Sequence, residues 1–350
     1  MGVITWDGSA STDYGTAANW DTGSVPIAST HVVIPDTSSI NNCILDTNRT
    51  ANSFRIDANG TFDGDGNTLT VDSEGDGTTG TSEGYAVRID GIISGTDTDI
   101  QITTPAATRV DLVPSSGTIR NLTINHASAV VELRGAATTI SGNLTITAGT
   151  LDTNSSSNYA LTVTGDAIID GTLTGNNSVV RLGSLAVGGT YSASSNETII
   201  TSERSNGRAV DIVGTFTHNS GTIEIQTAAD TDLRWPSSSS AYHINLNHAS
   251  CIARPTGSNK PPIAGNLYIK QGKFSLLDSD GSATHPCTVT GNCTIGDGSG
   301  SANTAIFEGR DDSVTFGSLT IDSDGQYDAT SGTTTLTTAG ASGTRSFYNN

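Results

Sequence analysis

The chain is poor in the residues that build helices. Of 350 residues only one is Met, aromatics make up 5% and charged residues 15%, and no Leu/Glu/Lys-rich stretch recurs at helical spacing. That scarcity argues against an α-helical or α/β body. No run of about 18 apolar residues occurs, so no stretch reads as a membrane-spanning helix. The opening MGVITWDGSA lacks the basic and apolar regions of a secretory signal, and Gly2 has Trp6 where a myristoylation motif wants Ser or Thr. If Met1 is the native start, classical export is not encoded. Basic residues are also few: 16 Lys and Arg against 35 Asp and Glu give a net charge of −19. Such a surface repels nucleic acid and anionic membranes, and suits a soluble extracellular particle. The four cysteines, Cys43, Cys251, Cys287 and Cys293, are too few for a disulfide scaffold and match no zinc spacing; they read as small buried hydrophobes.

What is present is turn and strand chemistry. Gly occurs 40 times and hydrophobic residues make up 34%, arranged in short alternating runs punctuated by Gly, Asn and Asp. NLTINHAS at Asn121 to Ser128 returns as HINLNHAS at His243 to Ser250. Around this echo lies a long internal repeat. Gly84 and Gly207 set an offset of 123, and the following words match in order: Ile100-Gln101 with Ile225-Gln226, DLVPSS with DLRWPSS, SGNLTI with AGNLYI, LTVTG with CTVTG, and SVVRLGSL with SVTFGSL. By Tyr191 and Tyr327 the offset has grown to 136. The organisation expected is an N-terminal Trp-containing cap at 1–52, a partial repeat at 53–83, full copies at 84–206 and 207–342, and the start of a third at 343–350. On this reading the sequence is a piece of a longer array.

Within each copy a shorter unit recurs as RNLTI, GNLTI, GSLAV, GNLYI, GNCTI and GSLTI. Each gives a short strand with one apolar face. With no helices to cross over, such strands stack as coils of an all-β parallel solenoid; tandem β-sandwich domains are the alternative, since one copy has about the size of such a domain. Trp6 and Trp20 are expected to cover the open edge of the first coil, with sugar stacking as their other reading.

The succession ITWDG, ANWDTGSVP and HVVIP resembles the N-terminal segment of large β-solenoid proteins on bacterial surfaces and phage particles. The whole chain resembles right-handed parallel β-helix proteins of the adhesin, haemagglutinin and phage tail-spike type, in architecture and not in any catalytic signature. The resemblance implies a virion-borne or extracellular fibre that touches cell-surface polysaccharide or another glycan receptor. It leaves open a homotrimer, and a polysaccharide-degrading lyase or hydrolase as the second functional class.

Candidate sites are sparse. In DGDGNTLTVDSE, Asp63, Asp65, Asn67 and Glu74 occupy positions 1, 3, 5 and 12 of an EF-hand-like loop and would take Ca²⁺, but Thr68 stands where the loop requires Gly, and Asp-Gly turns explain the pattern more simply. Asp278 with Asp280, and Asp322 with Asp324 and Asp328, offer similar oxygen ligands. No carboxylate pair stands out for glycoside hydrolysis, and no nucleophile motif or phosphate loop is present. The recurrence of His126 as His248 marks a place in a stack, because a catalytic residue has no reason to recur with a repeat. Asn121, Asn143, Asn266 and Asn292 are expected at left-handed turns with stacked amides.

Overall fold

The computed structural model describes residues 2–75, 84–236, 238–256, 262–277, 286–299 and 304–337. The Asp278/Asp280 turn, residues 76–83 of the partial repeat and the third-copy start at 343–350 lie outside them. The chain forms a parallel β-solenoid of about 12 turns. Among the described residues every paired strand is parallel to its neighbour, and the single antiparallel contact is the bridge between Trp6 and Trp20. A β-sandwich needs antiparallel pairing, so that alternative falls.

Three sheets run the length of the stack. The first includes His31–Ile34, Ser53–Ile56, Tyr85–Ile89 and Ala107–Asp111. A second contains Thr138–Ile140, Glu197–Ile200 and Thr222–Ile225. The third contains Thr68–Val71, Asp99–Ile102 and Arg208–Ile212. Period-2 alternation sends every second side chain inward, and identical side chains stack from coil to coil. Ile124, Ile146, Ile169, Val187 and Ile212 form one such file, all buried. Burying each contributes about 1.5 to 3 kcal/mol. Coil length is uneven: stacked partners lie 18 residues apart at Thr172 and Thr190, but 33 apart at Phe54 and Val87.

The N-terminal segment joins this stack directly, since His31–Ile34 pairs with Ser53–Ile56. Before it, Trp6, Trp20 and Tyr14 pack edge-on, with ring centroids 5.0 and 4.7 Å apart. Trp6 Nε1 donates to the Asn41 carbonyl at 2.7 Å and Trp20 Nε1 to the Tyr14 carbonyl at 2.8 Å. Both tryptophans are 1% exposed. Their rings are thus part of the core, which corrects the sugar-stacking alternative. The four cysteines are buried, as expected of small hydrophobes.

The long repeat and the coils do not share a period. From Leu122 the rungs pass through Leu144, Ala167, Leu185, Val210 and Leu233 to Pro255. Pro255 lies in the second half of His243–Thr256, whereas the repeat equivalent of Leu122 is Ile244, in its first half. The same holds at LTVTG: the file of Val163 runs through Leu182, Ile200, Ile225, Leu246 and Ile269 to Ile295, not to Val289 of CTVTG. One copy therefore falls one strand short of six turns. Its successor carries the same features one sheet over, about a third of a turn around the axis.

Register also corrects two of the word matches. Asp99 stands opposite Asn121, and Thr222 opposite His243. Gln101 therefore corresponds to Glu224, not to Gln226. Likewise Val110 and Leu233 are equivalent, through Leu133 and Pro255, so DLVPSS and DLRWPSS are matched two residues out of step. A two-residue slip preserves the in/out alternation, which is why identity alone did not expose it.

Candidate functional site

The outward residues of the two copies differ far more than the inward ones. In copy one the middle outward file of the third sheet reads Gln101, Thr123, Thr145, continuing Thr50 and Thr70 of the segments before it. Its counterpart in copy two, on the second sheet, reads Glu224, Asn245, Tyr268, continuing Arg181 and Ile199 from the end of copy one. The inward neighbours barely change: Ile100, Ile102, Leu122 and Ile124 become Ile223, Ile225, Ile244 and Leu246, all buried. Threonine is what a parallel sheet surface needs for strand propensity alone. At these rungs copy two departs from that minimum on its outer face, while the inner face stays apolar.

Around Glu224 the departure becomes a hydrogen-bond network. Arg181 Nη2 donates to Gln226 Oε1 at 3.1 Å, and Gln226 Nε2 in turn donates to Glu224 Oε1. From the other side Gln271 Nε2 donates to Asn247 Oδ1 at 3.2 Å, and Asn247 Nδ2 to the same Glu224 oxygen at 3.1 Å. Lys270 Nζ lies 4.0 Å from Glu224 Oε2 and 5.5 Å from the centroid of the Tyr268 ring. Glu224 is only 6% exposed although it points outward. Burial disfavours its charge, but Gln226, Asn247, Lys270 and Asn245 outweigh burial and hold its carboxyl below the usual range. Glu197, within hydrogen-bonding reach of Glu224, is pushed up, first by burial and then by the Glu224 charge. The two residues are diagonal neighbours on successive coils, Glu197 facing Thr222 and Glu224 facing Ile199.

The copy-one counterpart is a neutral groove of about 370 Å³ lined by Thr68, Gln101, Asn121, Thr123, Asn143 and Thr145 with Asp99 at its rim. Asp99 is held there by Arg120, through Nε at 2.8 Å and Nη2 at 2.7 Å.

The corner residues carry structural ladders. Asn121 Oδ1 accepts from the Asn143 backbone N–H at 2.8 Å, and Asn143 Oδ1 from that of Asp166 at 2.8 Å. In copy two His243 Nδ1 accepts from Asn266 N–H and Asn266 Oδ1 from Asn292 N–H, each at 2.9 Å. The stacking expected of these amides is present, but their φ angles are not left-handed. The asparagines that take that conformation are Asn59, Asn154, Asn158, Asn176 and Asn219. His126 and His248 each accept, at Nδ1, the N–H two residues on, from Ser128 and Ser250 at 3.2 Å. Both NHAS segments bulge outward: four residues separate Asn125 from Val130, where the partner strand has one between Ala148 and Thr150.

Of the calcium candidates, Asp63, Asp65 and Asn67 share one turn. Asp63 Oδ1 accepts from Asp65 N–H at 3.0 Å, Asp65 has φ +46, and the Asn67 amide donates to the Leu45 carbonyl at 3.0 Å. Glu74 is not brought to them. The extended strand Thr68–Val71 intervenes, spanning about 13 Å, and Glu74 instead lines a groove with Arg109, Glu132 and Arg134. Asp324 is buried and accepts the N–H of Gly298 at 2.9 Å; Asp322 caps a turn through its carbonyl, and Asp328 lies in the strand Gly325–Ala329. Among the described residues no group of three or more His, Cys, Asp or Glu is placed to hold a metal ion, and no helix is long and apolar enough to cross a membrane. No family model, curated protein or solved structure matches the chain.

Proposed function

We propose that the chain is a non-catalytic structural and adhesive segment of a phage tail fibre or bacterial surface protein, presenting an extended sheet surface to cell-surface carbohydrate. One observation carries this reading: at three equivalent rungs the inward side chains stay apolar, while the outward Gln101, Thr123 and Thr145 of copy one become Glu224, Asn245 and Tyr268 in copy two. A scaffold needs no such replacement. A rigid stack of parallel coils holds these groups at fixed spacing, so little ordering entropy opposes capture of a repetitive ligand.

The second reading is a polysaccharide-degrading enzyme, and the Glu197–Glu224 pair favours it, since carboxyls with divergent proton affinities mark acid–base machinery in many enzymes. Burial is the first cause acting on both carboxyls, as in packed structural acids, and the outer-face exchange favours the adhesive reading instead. Incubation with bacterial envelope polysaccharide separates the two. Retention of the polysaccharide with no new reducing ends or unsaturated sugars is the expected result; release of either product would sink the adhesive reading.

A further inference from the structure

We infer that the outer file of copy two, Glu224, Asn245 and Tyr268, flanked by Lys270 and by Arg181 and Glu197 from the end of copy one, is a subsite for an extended chain of uncharged pyranoses lying along the solenoid axis. This rests on the adhesive reading and gives it a place and a ligand class. Copy one serves as an internal control. It builds the equivalent rungs with Gln101, Thr123 and Thr145, so the fold itself requires neither Tyr268 nor Asn245.

The groups suit sugars. Tyr268 is half-buried, with Lys270 Nζ over its ring 5.5 Å from the centroid; the face away from Lys270 is the one that would meet the C–H side of a pyranose, and its hydroxyl is a polar tip. Asn245 and the Glu197 carboxyl are planar groups with paired polar atoms, matched to vicinal hydroxyls. Glu224, Asn245 and Tyr268 stand on successive rungs, with Glu197 one rung before Glu224. Rungs are about 4.8 Å apart, close to the length one pyranose adds to an extended glycan. A chain laid along the axis thus meets one rung per sugar.

Charge selects against an anionic polymer. The two cations of the patch are already engaged, Arg181 by Gln226 and Lys270 by Glu224. Around them the chain carries a net −19, which repels uronates.

The test grafts copy-one identities onto copy two. A triple variant Asn245→Thr, Tyr268→Thr, Lys270→Thr is titrated calorimetrically with cellohexaose, xylohexaose, maltohexaose and hexagalacturonate, next to wild type and a Val213→Ser control at an exposed corner. Wild type should bind at least one uncharged hexasaccharide, and the graft should weaken it about tenfold or more through loss of the stacked ring and its amide partner. Val213→Ser should bind like wild type, and an unchanged circular dichroism melt establishes that the graft is folded. Undiminished binding by the folded graft, or tighter binding of hexagalacturonate, overturns this site while leaving the adhesive reading in place. Failure of wild type to bind any hexasaccharide or immobilised envelope polysaccharide overturns both. Should the triple graft unfold, Tyr268→Thr alone is titrated, with the same outcomes deciding.

Discussion

Tyr191 and Tyr327 make the same hydrogen bond on different sheets of the solenoid. Each phenol meets a threonine seven residues downstream, Thr198 Oγ1 at 2.7 Å and Thr334 Oγ1 at 2.6 Å. Tyr191 stacks beneath Leu173 in the first sheet, and Tyr327 beneath Phe307 in the third. The pair shows that the repeat transmits detailed contacts even as it moves around the axis.

Replacing Tyr191 with Phe should cost about 1 to 3 kcal/mol, because the buried Thr198 hydroxyl loses its partner. The same change at half-buried Tyr327 should cost less, since water can reach the freed group. Alkaline titration gives a second readout. Burial pushes the Tyr191 phenol from 10.0 to about 12, against the opposing pull of Thr198. A raised value means its contribution is complete below pH 10.0 and is lost as pH rises through about 12. Urea melts across this window should show a shallower decline for Tyr191→Phe than for wild type; identical slopes would refute the assignment.

Gly149 and Gly272 lie beneath the two NHAS bulges and are equivalent. Their φ angles are +89° and +90°, and a Cβ would come 2.5 Å from the His126 carbonyl oxygen in one and 2.4 Å from that of His248 in the other. Ala at either position meets a backbone atom and a left-handed conformation together. Each substitution should lower stability by about 2 kcal/mol or more, and by similar amounts. His126→Ala should cost far less, because its imidazole only accepts one exposed N–H. Thermal melts of the three variants check the order; a costlier histidine would reverse the reading of this motif as a packing feature.

Much of the fold was legible because alternation is a local signal. Leu122 with Ile124 and Ile244 with Leu246 announce inward faces within five residues, and the absence of helical periodicity leaves parallel coils as the economical way to bury them. The sheet to which each strand belongs was not legible. Corners vary in length, from 18 residues per turn at Thr172 to 33 at Phe54, and the repeat offset counts residues without counting corners. The Glu224 network was hidden for a related reason. Its members come from five successive coils, from Arg181 to Lys270, and the identity match that set Gln226 against Gln101 masked the exchange of Gln101 for Glu224. Aligning the copies by alternation instead of by identity would have exposed it.

Trp6, Trp20 and Tyr14 are buried together next to His31–Ile34, where they are expected to cover the edge of the first coil. Truncating Trp20, whose ring touches both Trp6 and Tyr14, should cost about 3 to 5 kcal/mol. It should also uncover strand edge, so that the variant associates at concentrations where wild type does not. Light scattering during a thermal ramp is the measurement. A destabilised variant that stays as dispersed as wild type would show that the tryptophans fill space without shielding an edge.

The Glu197–Glu224 contact predicts opposite pH effects from two conservative changes. Glu224 is held below its ordinary 4.5, so its contribution is present above pH 4.5 and is lost as pH falls through the folded value. Glu197 is raised, so its contribution is present below pH 4.5 and is lost as pH rises through its folded value. At neutral pH, Glu224→Gln should therefore cost about 1 to 3 kcal/mol, since Gln226 and Asn247 lose a charged acceptor and Lys270 its counter-charge. Glu197→Gln should be neutral or stabilising there, because it removes a like charge beside Glu224. Glu224→Gln should also lower the Glu197 carboxyl part of the way toward 4.5, because burial, the larger cause, remains while the Glu224 charge is gone. Carboxyl-carbon NMR titration of both variants reads this directly. If Glu197 keeps its raised value in Glu224→Gln, burial alone sets it and the two carboxyls are not coupled.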